Sequence, residues 1–221
     1  FTIGGWLFEG LYFDGNFMGV DYSPEAGNVY KIYLNPSGYG DGQHTIATYS
    51  YDNAGWAGSH SINVIVDTTS PNSTITEPQN GNYYKNISTI NGTGTDNIGI
   101  ASVNITIKRQ NDNKYWDSNN WVTNEVWLNA SSPNGWAYWY YNCGNIWNNE
   151  VEYLISSKVT DKAENIQVLP TTSSFTYDTN PPVSQITYPS NEGYYTKLTS
   201  ISGTAVDNVV NGLANVRFSI A

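Results

Sequence analysis

Aspartate is the residue type in this sequence whose placement best suits metal binding. The candidate ligands lie in turn-like segments, and they are Asp52, Asp67, Asp96, Asp161, Asp178 and Asp207. Ca²⁺ is a hard cation that binds roughly six to eight oxygen ligands, mainly carboxylates, amides and carbonyls. A second interpretation needs no metal, because aspartates in turns also accept hydrogen bonds from nearby backbone N–H groups. None of these segments has the ligand spacing of an EF-hand loop.

Five Asn-x-Ser/Thr sequons indicate a second kind of chemistry, the attachment of sugars. They are Asn72, Asn86, Asn91, Asn104 and Asn129. Asparagine, serine and threonine are common in this chain, so chance could also produce several of them. Asn104 is expected to point outward, because Val103 and Ile105 beside it take the opposite face of a strand. A glycosylated position must be exposed, so the sequence predicts sugars on that surface.

Tryptophan and tyrosine are concentrated in a segment between about residues 109 and 150. Such rings stack on sugars and anchor protein interfaces. In a strand over 136–141, Trp136, Tyr138 and Tyr140 would lie on one face and Trp139 on the other. One of these faces would pack in the core. We expect an outward row to form a contact surface, with neighbouring domains as the first partner and glycans as the second. The predicted surface comprises Trp116, Trp121, Trp136, Tyr138, Trp139 and Tyr140.

Catalytic chemistry is poorly represented. The chain has two histidines, His44 and His60, and neither belongs to a recognisable nucleophile motif. Glu125, Glu150 and Glu152 could supply a carboxylate pair, but glycoside hydrolysis also needs a shaped cleft and a larger scaffold. The sequence therefore predicts that the protein is not an enzyme.

An internal repeat organises the elements that would position these residues. The segment from Asp67 to Asn97 recurs as the segment from Asp178 to Asn208. The spacing between the two copies is constant, so their Pro, Tyr-Tyr, Gly-Thr and Asp-Asn residues align. A shorter segment also recurs, because Asp52 and the residues after it resemble those that follow Asp161. The chain therefore divides into a partial unit in 1–66, a full unit in 67–177 and a partial unit in 178–221.

The two partial units suggest two arrangements. They could be pieces of a longer tandem array, or residues 178–221 of one subunit could complete residues 1–66 of the next. Any export signal or anchor is expected to lie outside this sequence.

Alternation of apolar and polar residues predicts short strands and no substantial helix in the full unit. The predicted strands are 72–76, 87–92, 100–107, 122–128, 136–141, 152–160 and 175–177, the last with a lead-in at 167–169. Turn-forming clusters separate them. About 110 residues with this many strands are typical of an immunoglobulin-like β-sandwich, although its Cys-Trp-Cys core is absent.

The repeated segments resemble the tandem Ig-like domains of bacterial and archaeal cell-surface proteins. The residues that carry this resemblance are Val66–Pro71, Gly92–Asn97 and Asp161–Asn165, together with Gly40–Ile46 in the first unit. In such a sandwich the entry linker and two of the loops meet at one pole, which would bring Asp67, Asp96 and Asp161 together. Related surface arrays stiffen domain junctions with ions, so the resemblance implies Ca²⁺ at the junctions. Asp178 and Asp207 would repeat the cluster in the following unit, and Asp52 in the preceding one.

Composition excludes several other classes. With a net charge of −10, the average surface repels phosphate, so nucleic acid is not a predicted partner. Eight tryptophans and 18 tyrosines provide enough large side chains for a folded core. No apolar run approaches the roughly 18 residues of a membrane span, so no membrane insertion is predicted. The single cysteine, Cys143, is expected to be a buried apolar residue.

These features together predict an all-β array of Ig-like sandwiches of about 110 residues per repeat. Its predicted role is structural, as a repeat module of an extracellular filament, sheath, S-layer or stalk. Its partners would be copies of itself or neighbouring Ig-like domains. The alternative is an adhesive or carbohydrate-binding module that uses the Trp/Tyr surface.

Overall fold

A computed structural model describes residues 7–19, 31–33, 35, 38–52, 54–209 and 212–219. The described residues form an all-β structure with almost no helix. None of them belongs to a helix of the length and hydrophobicity that a bilayer crossing would need. The other residues of the predicted units 1–66 and 178–221 lie outside the described residues.

The described residues form sixteen strands. The first four are β1 (Leu7–Phe13), β2 (Asn16–Gly19), β3 (Gly42–Tyr51) and β4 (Ala57–Val66). The central unit, residues 67–177, contains β5 (Asn72–Glu77), β6 (Asn82–Tyr84), β7 (Thr89–Thr95), β8 (Ile100–Arg109), β9 (Lys114–Trp116), β10 (Trp121–Val122), β11 (Leu128–Asn129), β12 (Trp139–Asn142), β13 (Val151–Asp161) and β14 (Thr171–Tyr177). The last two are β15 (Val183–Tyr188) and β16 (Ser202–Val206).

Two sheets build the central unit. The larger has the order β10-β9-β8-β13-β14-β6, with β11 also paired to β8, and the smaller has the order β12-β7-β5. Both sheets contribute to one hydrophobic core, which takes Ile90 from β7, Trp139 from β12 and Ile155 from β13. Alternate residues of β13 are buried along its whole length, as expected for a strand with one face on a core.

Two smaller sheets flank the central unit. The N-terminal sheet has the order β2-β1-β3-β4, and the C-terminal sheet is the antiparallel hairpin of β15 and β16. Several apolar side chains on the hairpin are exposed, including Ile186 at 61%. Within the described residues, neither flanking sheet packs on a second sheet of the kind that closes the central unit.

The predicted strands agree with the structure where alternation is long and disagree in the aromatic segment. The strand predicted over 122–128 is wrong, because only Trp121–Val122 and Leu128–Asn129 pair at its two ends. The strand predicted over 136–141 begins instead at Trp139, since Trp136 has a φ of 76° and lies in a turn. No strand forms over 167–169. The short parallel strand β6 was not predicted.

Candidate functional site

Three aspartates meet at one end of the central unit. Asp67 lies in the linker after β4, Asp96 in the turn between β7 and β8, and Asp161 at the end of β13. One carboxylate oxygen from each lies within 4.8 Å of the other two. The structure therefore brings together these three of the six aspartates that the sequence singles out.

Local turns orient two of the three carboxylates. Asp161 Oδ1 accepts hydrogen bonds from the backbone N–H groups of Ala163 and Asn165, each at 2.8 Å, and Oδ2 accepts one from Asn165 Nδ2. Asp96 Oδ2 accepts hydrogen bonds from Ile98 N at 2.9 Å and from Gly99 N at 2.6 Å. These bonds are the self-capping turns of the metal-free interpretation.

Self-capping does not account for all of the carboxylate oxygens. Asp67 Oδ1 accepts a hydrogen bond from Thr69 N at 3.2 Å, but its Oδ2 is buried without a hydrogen-bond partner. Asp96 Oδ1 is also buried and unpartnered. The Asp67 side chain belongs to a residue that is only 9% exposed, and Asp161 is 1% exposed. A buried carboxylate oxygen without a partner is costly, so these two atoms are candidates for binding a cation or an ordered water.

Electrostatics points the same way. Burial raises the pKa of Asp67 above its ordinary value, and the charges of Asp96, Asp161 and Asp41 raise it further, against the hydrogen bond from Thr69. The ion pairs that the structure describes lie elsewhere, at His44–Asp14 and around Asp112. The cluster is therefore a concentration of negative charge that a bound cation would neutralise.

The donor set fits a hard divalent cation. All the atoms that converge are oxygens, and two of them have no other partner. Ca²⁺ accepts this combination of carboxylates and would take its remaining ligands from backbone carbonyls or water. Asp67, Asp96 and Asp161 would hold the ion, which would supply the positive charge that the cluster lacks.

A fourth aspartate, Asp41, joins the N-terminal sheet to this site and was missed by the sequence analysis. Its carboxylate accepts hydrogen bonds from the backbone and hydroxyl of Thr68, each at 2.8 Å, from the Thr69 hydroxyl at 2.5 Å and from Asn97 Nδ2 at 2.9 Å. These bonds, the Thr69 hydroxyl first, lower the pKa of Asp41 to about 2. Asp41 is thus ionised and ties the preceding sheet to the linker beside Asp67.

The linker after the central unit is held in the same way. Asn149 Oδ1 accepts hydrogen bonds from Thr179 N at 2.6 Å and from the Thr179 hydroxyl at 2.9 Å, as Asp41 does from Thr68. Asn180 Nδ2 donates to Glu150 Oε1 at 2.8 Å. The same arrangement therefore recurs at both junctions: the threonine of an Asp-Thr linker donates to a side chain just before β3 at the first junction and just before β13 at the second.

The other three predicted ligands form no cluster of three acids among the described residues. Each makes only its own turn: Asp52 accepts from Ala54 N and Trp56 N, Asp178 from Asn180 N, and Asp207 from Val209 N. The physical reason is that the cluster at Asp67 needs loops from both sheets of one unit. Each flanking unit provides only one sheet.

The sequons occupy different environments. Asn72, Asn86 and Asn129 are exposed, whereas Asn91 and Asn104 are half-buried. Asn104 Nδ2 donates to Asn129 Oδ1 at 2.7 Å, so two sequon side chains are bonded to each other. Asn91 accepts a hydrogen bond from the Tyr138 hydroxyl at 2.9 Å. Glycosylation stays a prediction at all five.

The aromatic residues contradict part of the predicted contact surface. Trp139 is 0% exposed, because β12 pairs with β7 and its ring packs over Gly92 in the core. Trp116, Trp121 and Trp136 are half-buried against the core. Tyr138 is 40% exposed, and its ring stacks on that of Tyr140 with centroids 6.2 Å apart. Of the six residues of the predicted surface, Tyr138 is therefore the one that is exposed, and Tyr140 is half-buried like the three outer tryptophans.

Comparison with known proteins adds no relative to this description. No protein-family model matches the chain, and no curated protein matches it significantly.

Proposed function

We propose that this chain is a structural repeat module of an extracellular cell-surface assembly, such as a filament, sheath, S-layer or stalk. Its repeating unit is an Ig-like sandwich, and Ca²⁺ bound by Asp67, Asp96 and Asp161 stiffens the junction that enters each unit. The observation that carries this proposal is the pair of buried, unpartnered carboxylate oxygens where the linker meets two loops.

The recurrence of the junction supports a mechanical role. Both linkers donate the same two hydrogen bonds from a threonine to the unit before them. A junction that is built twice in the same way gives successive units a fixed relative orientation. A cation at the first junction would add a link between the linker and both loops, because it binds all three carboxylates at once.

The cation is tested by thermal unfolding with Ca²⁺ and with chelator. We expect Ca²⁺ to raise the midpoint, since a ligand at about 100 times its dissociation constant stabilises the folded state by about 2.7 kcal/mol. Asp67→Asn should abolish this difference in midpoint, because it removes the negative charge of a carboxylate whose Oδ2 accepts no hydrogen bond. Asp178→Asn is the matched control and should keep the difference. Identical midpoints with Ca²⁺ and with chelator in the unmodified chain would exclude the cation.

The assembly is tested by electron microscopy of the purified chain in Ca²⁺. Ordered polymers are expected. The alternative, an adhesive or carbohydrate-binding module, depends on exposed Tyr138 and on the half-buried Tyr140 that stacks on it. Glycan binding that disappears in Tyr138→Ala, without polymers in the unmodified chain, would favour that module.

A further inference from the structure

The N-terminal sheet reproduces the large sheet of the central unit residue by residue. Thr48 of β3 pairs with His60 of β4, just as Ser157 of β13 pairs with Thr171 of β14. The same alignment holds on the other side, where Ile46 pairs with Phe13 of β1 as Ile155 pairs with Ile107 of β8. Strands β2-β1-β3-β4 are therefore equivalent to β9-β8-β13-β14.

The C-terminal hairpin reproduces the small sheet. Ile186 of β15 pairs with Gly203 of β16, as Ile75 of β5 pairs with Gly92 of β7. The turn that follows is also the same, because the Tyr195 hydroxyl accepts a hydrogen bond from Ser190 N as the Tyr84 hydroxyl does from Gln79 N, both at 2.8 Å. The two flanking sheets are thus the two halves of one central-type unit.

Several positions that are buried in the central unit are exposed in the two halves, although Phe13 of β1, the equivalent of Ile107, is buried against the Tyr39 ring. Ile90 is 0% exposed, but its equivalent Ile201 in the hairpin is 38% exposed. Ser173 is 3% exposed, but its equivalent Ile62 in the N-terminal sheet is 50% exposed. Beside the hairpin lies a groove of about 710 Å³ lined by Ile186, Ala205 and Phe218. Each half therefore presents the apolar face that its counterpart covers in the central unit.

The two halves are attached to opposite ends of the central unit. The first junction lies where β13 ends, at Asp161, and the second lies just before β13 begins, at Asn149. A strand of 11 residues spans on the order of 35 Å. The hairpin of one chain is therefore directed away from its own N-terminal sheet, and the equivalent sheet that it can reach belongs to another molecule.

We propose that the inner face of the β15–β16 hairpin docks on the inner face of the β2-β1-β3-β4 sheet of a second copy of this chain. The interface continues a packing that the molecule already contains, the sheet-on-sheet contact of the central unit. Because the contact is head to tail, every docked copy offers a free face to the next, and repetition without closure generates a linear polymer. The proposal rests on the assembly role given above and names its partner.

The equivalence specifies the register of this interface. Ser73 Oγ of β5 lies 2.9 Å from Ser157 Oγ of β13 across the central core. The equivalent pair is Ser184 of one copy and Thr48 of the next. Residues 212–219 align with β8, whose position in the N-terminal sheet β1 already occupies, and Val216–Ser219 line the groove beside Ser184 and Ile186. This tail must therefore move aside when the two faces dock.

Cysteine cross-linking tests the register. Two differently tagged chains, one with Ser184→Cys and one with Thr48→Cys, are mixed under mild oxidation, and a disulfide-linked heterodimer is expected. Cys143 does not compete, because burial raises the pKa of its thiol to about 12. The matched control pairs Ser184→Cys with Tyr49→Cys, whose side chain lies on the opposite face and 5.2 Å from the Tyr12 ring. The heterodimer should be lost in this control.

A chain that carries both Thr48→Cys and Ser184→Cys should give a ladder of cross-linked multimers. Adding Ile186→Asp should abolish the ladder while the unfolding midpoint of the central unit stays the same, since Ile186 is outside its core. A cross-link that closes within one chain, or equal yields with Thr48→Cys and Tyr49→Cys, would overturn the proposal. So would a cross-link-free monomer at all concentrations, which would assign these faces to some other segment.

The outcome is separable from that of the proposed function. If cross-linking fails but Ca²⁺ still stabilises the central unit through Asp67, only the copy-to-copy contact is lost. If cross-linking succeeds without any effect of Ca²⁺, the cation-stiffened junction is lost.

Discussion

The central unit and the N-terminal sheet contain equivalent strands in the same register, yet one has a closed core and the other does not. In the central unit, β13 buries every second residue against the small sheet. In the N-terminal sheet, the equivalent residues of β3 are only half-buried. The pairing of strands is thus set within one sheet, whereas burial depends on a second sheet.

The aspartates show the same division between local and long-range effects. Asp52 and Asp161 accept the same two hydrogen bonds from residues two and four positions further along the chain. These turns form whether or not the unit is closed. Among the described residues, the three-acid cluster forms only at Asp67, where loops of both sheets converge. Such a cluster therefore depends on the closure of the unit.

The largest loss of unfolding free energy is expected from Trp139→Ala, which leaves a cavity between the two sheets of the central unit. The Trp139 ring fills the space above Gly92, where an added Cβ would lie 2.1 Å from it. Loss of a fully buried tryptophan costs about 3–5 kcal/mol of unfolding free energy. Denaturant unfolding followed by tryptophan fluorescence measures this cost.

Tyr138→Ala is the control for this variant, since Tyr138 is the neighbouring aromatic residue but is exposed. It loses one hydrogen bond to Asn91 and should cost about 1 kcal/mol. Equal losses in the two variants would contradict the position of Trp139 in the core.

A second prediction compares equivalent isoleucines of the closed and open sheets. Ile90→Ala should cost about 2–5 kcal/mol, because Ile90 is fully buried between the sheets. Ile201→Ala should change the unfolding free energy of the dilute chain by less than about 1 kcal/mol, because Ile201 has no second layer. Denaturant titration of both variants at low protein concentration measures the difference. A large cost for Ile201→Ala in the dilute chain would mean that the hairpin is already covered.

Sequence reasoning succeeded where the information is local or repeated. Alternation in residues 100–107 and 152–160 located β8 and β13, and the loop arrangement expected of an Ig-like sandwich placed Asp67, Asp96 and Asp161 near one another. The prediction that Trp139 belongs to the contact surface was wrong, because alternation assigns residues to two faces of a strand without showing which face is covered. The edge pairing of β12 with β7, which decides this, joins residues far apart in the sequence.

The missed residue Asp41 has the same explanation. Its partners Thr68 and Asn97 belong to the linker and to a loop of the next unit, so no pattern within the first unit marks it. The unpartnered oxygen of Asp67 likewise appears only when linker and loops are in place. Residue types indicated a hard cation, but only the folded geometry separates one cluster from three isolated turns.

The smallest effect is a pH dependence confined to the N-terminal sheet. His44 Nδ1 lies 2.5 Å from Asp14 Oδ2, and Nε2 lies 2.7 Å from the carbonyl oxygen of Gly40, the residue before Asp41. Both ring nitrogens face acceptors, so the protonated ring donates to each. The Asp14 hydrogen bond, followed by that of Gly40, raises the pKa of His44 above its ordinary value of 6.5.

A raised folded-state pKa means that this contribution to stability is complete below pH 6.5 and is lost as the pH rises through the folded value. We therefore expect amide exchange in β1 and β3 to accelerate on going from pH 6 to pH 9, beyond the intrinsic effect of hydroxide, while β13 in the central unit keeps its protection. His44→Gln should remove this difference. His60→Gln changes the other histidine, which is exposed on β4, and should leave it intact. The prediction is contradicted if His44→Gln keeps the pH-dependent loss of protection. The link from the β1–β2 turn to the junction at Asp41 would then not run through the hydrogen bonds of His44 to Asp14 and Gly40.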